Sequence, residues 1–186
     1  MTDFEFRELN VRDAYLINNF HIEDNRGGFT KIFEQRMFTE AGIRFHVNET
    51  FTSCSLKNVI RGLHFQTHNP QAKLVSIILG KVWDVIVDLR KNSPTYKQWF
   101  ATEISASNYR AIFIPRGFAH GFVSLEDKSV MLYQCDGPYD KESDTGIIFN
   151  APEIGITWPI SLNDAIHSDR DLALMSFSKY EENPMS

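Results

Sequence analysis

From Lys73 to Gln134 the chain is a series of short runs rich in β-branched and aromatic residues, each stopped by turn residues. Lys73–Leu79 and Val82–Leu89 flank Gly80-Lys81, which reads as a hairpin turn. In the second run Trp83, Val85, Val87 and Leu89 share one face, and Val82, Asp84, Ile86 and Asp88 share the other. Gln98–Ile104, Ala111–Ile114, Gly121–Leu125 and Val130–Gln134 continue the series. Ser93-Pro94, Pro115-Arg116-Gly117 and Asp136-Gly137-Pro138 separate them. A spacing of roughly 8–12 residues predicts an all-β sandwich or barrel. Helix signals are few. Glu34–Ala41 reads as a short helix ended by Gly42, and Ser168 opens a capping pattern before Leu172-Ala173-Leu174. The residues from about Glu181 onward are expected to fray.

The aromatic load, 15 Phe, 6 Tyr and 3 Trp, suits a barrel that must fill its interior. With no repeat, linker or low-complexity tract, residues 1–186 are expected to form one domain. A formal charge of −5 gives no footprint for nucleic acid. An anionic ligand would have to be met by local Arg and Lys. Cys54 and Cys135 form no CxxC pair, which argues against a disulfide framework or a structural zinc site. Met1-Thr2-Asp3-Phe4-Glu5 lacks the basic and apolar parts of a signal peptide, and no apolar run approaches membrane-spanning length. No membrane partner and a reducing, cytoplasmic location are therefore expected.

The chemistry concentrates in Arg61-Gly62-Leu63-His64-Phe65-Gln66 and Gln71-Ala72-Lys73-Leu74, where an imidazole and two cations enter β sequence. Such a set suits proton transfer at a substrate that develops negative charge. Each residue also has an ordinary structural reading. A lone His beside a strand is commonly a satisfied core residue, and a Lys at a strand start is commonly exposed. Tyr133 shares a face with Met131 and Cys135, so it reads equally as core or as a general acid. Asp171 occupies the last position of the capping pattern that starts at Ser168, or else supports an imidazole. His120, set by Pro115-Arg116-Gly117-Phe118-Ala119-His120-Gly121-Phe122, completes a double-stranded β-helix, or cupin, layout of two His-bearing motifs. Many cupins bind a metal there. This chain offers His64, His68 and His120, but Lys73 stands near where a carboxylate ligand would be needed, so no metal is expected.

Taken in order, these motifs resemble the nucleotide-sugar epimerases typified by dTDP-4-dehydrorhamnose 3,5-epimerase, a metal-free cupin family. The resemblance runs from about Asp24 to Asp171. It includes Asp24-x-Arg26-Gly27-x-Phe29, the Arg61 and Gln71 motifs, and Gly80-x-Val82-x-Asp84-Val85-x-Val87-Asp88-Leu89-Arg90. Ser93-Pro94-Thr95, Ile114-Pro115-x-Gly117-Phe118-Ala119-His120, Tyr133 with Tyr139, Trp158-Pro159 and Ser168-x-Arg170-Asp171 complete it.

The resemblance implies an all-β jelly-roll barrel with a few short peripheral helices, and an epimerase of a nucleotide-activated 4-keto-6-deoxyhexose in deoxysugar biosynthesis. His64 would be the base, oriented by Asp171. Tyr133 would be the acid on the opposite face of the sugar, and Lys73 would stabilise the enolate oxygen with His120 nearby. Arg61 and Arg26 would hold the diphosphate, and Phe29 and Tyr139 the nucleobase. Glu49 and Asp144, where the family carries Gln and Glu, complete the substrate-binding set. No cofactor is implied. A homodimer is, with N-terminal segments crossing to the partner. Lys31, Glu49 and Phe51 depart from the family pattern. Those departures leave room for a single-carbon epimerase acting on a CDP- or GDP-linked sugar. A metal-dependent cupin and a silent sugar-nucleotide-binding cupin are the alternatives of other classes.

Overall fold

Strands buried on both faces set the architecture. The computed structural model describes residues 4–185; the first three residues read for a signal peptide lie outside that range. Thirteen strands appear in chain order: β1 (Glu5–Glu8), β2 (Tyr15–Asn18), β3 (Phe20–Asp24), β4 (Gly27–Lys31), β5 (Glu49–Ser55), β6 (Ile60–Gln66), β7 (Lys73–Leu79), β8 (Lys81–Asp88), β9 (Trp99–Ser105), β10 (Arg110–Ile114), β11 (Phe118–Ser124), β12 (Ser129–Cys135) and β13 (Asp144–Gly146). The α-helices are α1 (Gln35–Glu40), α2 (Asp169–Leu172) and α3 (Phe177–Glu181). One sheet runs β1-β2-β10-β7-β12-β5, a second β13-β6-β11-β8-β9, and β3 pairs with β4 alone. The two large sheets face each other as the expected jelly-roll barrel.

Three apolar clusters explain why so many strands lack exposed faces. Val75, Ile77, Val82, Ile86, Ile112, Met131 and Tyr133 meet between the sheets. Phe38 of α1, Ile43 and Phe45 cover the outer face of the six-stranded sheet at Ile17, Leu74, Ala111 and Phe113. Phe149, Trp158, Phe177 and Tyr180 cover the other sheet through Leu63, Phe65, Val85 and Val87. The alternation expected in β8 holds, with its two faces entering two different clusters. Helix α1 ends as expected. Gly42 takes a φ of +79°, and the Ile43 N–H reaches back to the Phe38 carbonyl.

Two expectations need correction. Gly80-Lys81 is not a hairpin turn. β7 pairs with β10 and β12, whereas β8 pairs with β11 and β9 in the other sheet. Gly80, at φ +78°, turns the chain from one sheet to the other. Between β5 and β13 only the β8–β9 connection stays within a sheet. The C-terminal residues, expected to fray, are tied down as far as Met185. Its N–H donates to the Tyr180 hydroxyl, which donates to the Leu89 carbonyl at 2.7 Å.

Candidate active site

A cavity of about 410 Å³ opens between the two sheets. β6 contributes Arg61, His64 and Gln66 to its wall, and β11 contributes His120 and Phe122. The opposite wall holds Glu49, Phe51 and Ser53 of β5, Lys73 of β7 and Tyr133 of β12. Tyr139, Asp144 and Arg170 also line it.

Strict alternation would place Arg61 and His64 on opposite faces of β6. The strand carries an extra residue instead. His64 pairs with His120 and Arg61 with Phe122, so three steps on β6 match two on β11. The bulge centres on Gly62, at φ +115°. A Cβ there would lie 2.7 Å from Gly121 Cα and from the His120 carbonyl oxygen. Glycine therefore permits the close strand approach that sets His64 beside His120.

His64 is half-buried and open to the cavity. Its Nε2 lies 2.6 Å from Asp171 Oδ1. With Nε2 donating to the carboxylate, Nδ1 is the ring nitrogen left to accept a proton. Asp171 is 4% exposed. The Ser168 hydroxyl donates to its Oδ2 at 2.7 Å and the Gly62 N–H approaches Oδ1 at 3.4 Å. Burial opposes ionisation, but the bonds from His64 and Ser168 prevail, and the carboxyl is lowered to about 2. Both sequence readings of Asp171 hold together. Ser168 Oγ caps α2 by accepting the Asp171 N–H at 3.1 Å, worth about 1 kcal/mol, and the same residue's carboxylate backs His64.

His120 is anchored by a second carboxylate. Its Nε2 lies 2.8 Å from Asp84 Oδ2 in a buried pair. Asp84 Oδ1 is buried with no hydrogen-bond partner, and burial raises this carboxyl above its ordinary value against the pull of His120. Across the cavity, burial likewise raises Tyr133, so the phenol stays protonated. The His120 ring meets Tyr133 edge-on at 6.0 Å, and Phe51 stacks on Tyr133 at 4.7 Å and 12°. Such a stacked pair contributes roughly 0.5–1.5 kcal/mol beyond area burial.

Desolvation lowers the Lys73 ammonium, while Cys135, Asp144 and Glu49 act to restore it. Glu49 Oε1 is fixed by the Gln71 amide, which donates to it at 2.9 Å and to the Gly137 carbonyl at 2.6 Å. Asp144 Oδ2 accepts from Arg170 at 2.7 Å and from the Tyr139 hydroxyl at 3.0 Å. Arg61 Nε donates to Ser55 Oγ at 3.0 Å, with the side chain exposed towards the cavity. The site therefore offers three cations, Arg61, Lys73 and Arg170, against two carboxylates. Among the described residues no group of three His, Cys, Asp or Glu could hold a metal ion. His68 lies exposed in a loop beside Thr67.

Of the residues singled out from sequence, His64, Lys73, Tyr133, Glu49, Arg61, His120, Tyr139 and Asp144 line this cavity, and Asp171 supports it from behind. Arg26 and Phe29 do not. They sit on the β3–β4 hairpin in a separate shallow groove with Ile22 and Asp24. Arg26 is paired with Asp24, and Phe29 is 55% exposed. Sequence reasoning assigned no role to Gln66, Gln71 or Arg170, although all three lie inside quoted motifs. Phe51 stood out there as a departure, without a role.

The family model for dTDP-4-dehydrorhamnose 3,5-epimerase matches residues 8–179. The enzyme of that name from Methanothermobacter thermautotrophicus is 40% identical over 186 residues, covering 100% of this chain and 99% of its own. The one from Salmonella typhimurium is 45% identical over 153 residues, covering 81% of this chain and 84% of its own. The crystal structure of dTDP-6-deoxy-D-glucose-3,5-epimerase from Legionella pneumophila, in complex with dTDP-4-keto-L-rhamnose, superimposes with a TM-score of 0.91. It shares 34% identity and covers 95% of this chain and 94% of its own.

Proposed function

The chain belongs to the dTDP-4-dehydrorhamnose 3,5-epimerase family, and on that premise we propose that its cavity inverts carbons 3 and 5 of dTDP-4-dehydro-6-deoxyglucose in deoxysugar biosynthesis. The protein is then an isomerase acting on a nucleotide-activated sugar. The observation that carries this reading is the arrangement of proton carriers: His64, backed by Asp171, on one wall and Tyr133 on the other.

The chemistry follows from the substrate. A ketone at carbon 4 acidifies the hydrogens on carbons 3 and 5. The imidazole of His64 takes one of them, and the Asp171 carboxylate holds that ring and stabilises its cationic form. The electron pair left on carbon moves to the ketone oxygen as an enolate, which the Lys73 ammonium stabilises. Tyr133, held protonated by burial, returns a proton to the opposite face and inverts the centre. Arg61 and Arg170 suit the diphosphate, and the exposed ring of Tyr139 suits the nucleobase. No cofactor enters these steps.

A homodimer completes the site in this reading. Arg26 and Phe29 lie on a hairpin outside their own chain's cavity, where they could serve a partner's. The six-stranded sheet is also covered on only part of its outer face. Thr52, Cys54 and Ile78 stay exposed there, and the buried Ser76 Oγ and Gln134 Oε1 lack partners. A second copy would cover that surface. The free thiols of Cys54 and Cys135 accord with a reducing, cytoplasmic setting.

Proton NMR of the enzyme with dTDP-4-dehydro-6-deoxyglucose in deuterium oxide tests the reaction. Deuterium at both carbons supports it. Exchange at one carbon would replace it with single-site epimerisation. No exchange would sink the thymidine-linked substrate and send the test to CDP- and GDP-linked sugars. Glu49 and Phe51 favour that second reading, because both line the cavity where the family pattern has Gln and Asn.

A further inference from the structure

We propose that Phe51 is a positioning residue for Tyr133, holding the phenol where it can protonate the sugar on the face opposite His64. The inference rests on the proposed reaction. Phe51 and Tyr133 are register partners on β5 and β12, so both side chains point into the barrel. Their rings lie nearly parallel, with centroids 4.7 Å apart. His120, itself held by Asp84, approaches Tyr133 at 72°. The phenol thus has one face covered and a second contact close to a right angle to it. Rotation about the Cα–Cβ bond swings a tyrosine's oxygen between staggered positions, and a ring packed along one face favours one of them.

A solvent-facing phenylalanine is ordinary on a protein surface. This one lines the cavity and is 46% exposed on a strand that pairs on one side only. It buries too little to matter greatly for folding. Its extensive contact is with the residue proposed to deliver the proton.

Each proton transfer has two possible endings. His64 breaks the C–H bond, and the pair passes into the enolate. Inversion then requires the Tyr133 O–H bond to break as the new C–H bond forms on the far face; the phenolate recovers a proton from solvent. If the phenol is poorly placed, His64 returns a solvent-exchanged proton to the original face instead. In deuterium oxide that failure appears as label in recovered substrate without inversion.

The test compares Phe51→Ala, Phe51→Leu and Phe51→Tyr with the unaltered enzyme, using dTDP-4-dehydro-6-deoxyglucose in deuterium oxide. For Phe51→Ala, kcat for inverted product should fall on the order of tenfold, and the ratio of label in recovered substrate to label in product should rise by about the same factor. KM should stay within about twofold. Phe51→Leu should lie between, and Phe51→Tyr, which keeps the ring, should restore the ratio. An unchanged ratio in a folded Phe51→Ala protein overturns the inference. So does a raised KM with the ratio unchanged, which would make Phe51 a platform for substrate. Absence of exchange in the unaltered enzyme would overturn the reaction itself and this inference with it.

Discussion

Among the described residues two His–Asp pairs stand out, with similar geometry and opposite electrostatic bias. In the first, His64 faces the cavity and Asp171 collects the imidazole, the Ser168 hydroxyl and a backbone N–H. In the second, His120 and Asp84 are both buried and Asp84 has a single donor. The first carboxyl is lowered to about 2; the second is raised. Solvent accessibility alone does not separate them. Asp88, on the same face of β8 as Asp84 and equally inaccessible, is surrounded by Arg90, Ser93 and Thr95. Desolvation opposes its charge, yet those bonds prevail and its carboxyl is lowered. The donors on the carboxylate, set against the depth at which it is buried, decide which Asp remains a firm anion. The Asp171 pair is therefore equipped to take up a proton, and the Asp84 pair to hold a ring in place.

Four changes would break or sharpen that contrast. The largest effect is expected for His64→Asn, which removes the proposed base and should lower kcat on the order of 10⁴-fold, with binding of the nucleotide sugar retained in a titration. Asp171→Asn leaves the ring but not its anion, and kcat should fall on the order of 10²-fold at nearly constant KM, because Asp171 does not line the cavity. A loss in KM alone would deny Asp171 its supporting role. Gly62→Ala forces a Cβ against the β11 backbone beneath both histidines. It should cost about 1–3 kcal/mol in denaturant unfolding.

Asp84→Asn carries the smallest expected effect, about 1 kcal/mol, and its sign depends on pH. Asp84 has a raised folded-state value, so its contribution is present below the unfolded carboxylate range and lost as pH rises through the folded value. Asn does not titrate. The melting temperature of Asp84→Asn relative to the unaltered protein should therefore climb as pH rises above the unfolded carboxylate range. For Asp171→Asn the relation reverses. Asp171 stabilises above the unfolded value and ceases to do so as pH falls through about 2, so the deficit of that variant should shrink on acidification. Parallel pH profiles for the two variants would abolish the contrast.

Much of this was legible in the chain. The division of β8 into two faces and the end of α1 at Gly42 follow from alternation and turn residues, whereas a common site for His64, Lys73, His120 and Tyr133 was implied by the resemblance that the ordered motifs carry. Where sequence reasoning stopped, the cause is physical. Alternation tells which face a residue takes but not which sheet its strand joins, so Gly80 passed for a hairpin. A bulge shifts the faces by one, so the shared orientation of Arg61 and His64 shows only once Gly62 is seen to need its left-handed backbone. Phe51 and Gln71 acquire meaning from cross-strand neighbours far away in sequence. Arg26 and Phe29 keep theirs only if a second chain is considered.

The strand that carries Glu49, Phe51 and Ser53 ends its sheet, bonded to β12 alone, whereas β6, β7, β11 and β12 each lie between two neighbours. The groups proposed to handle protons are thus mounted on doubly braced strands, and part of the cavity wall is mounted on a margin. Replacements along that margin disturb one ladder at most. A lineage could re-tailor the wall facing the sugar nucleotide while leaving the reactive groups registered, and anyone redesigning this enzyme for another sugar could begin with the same three positions.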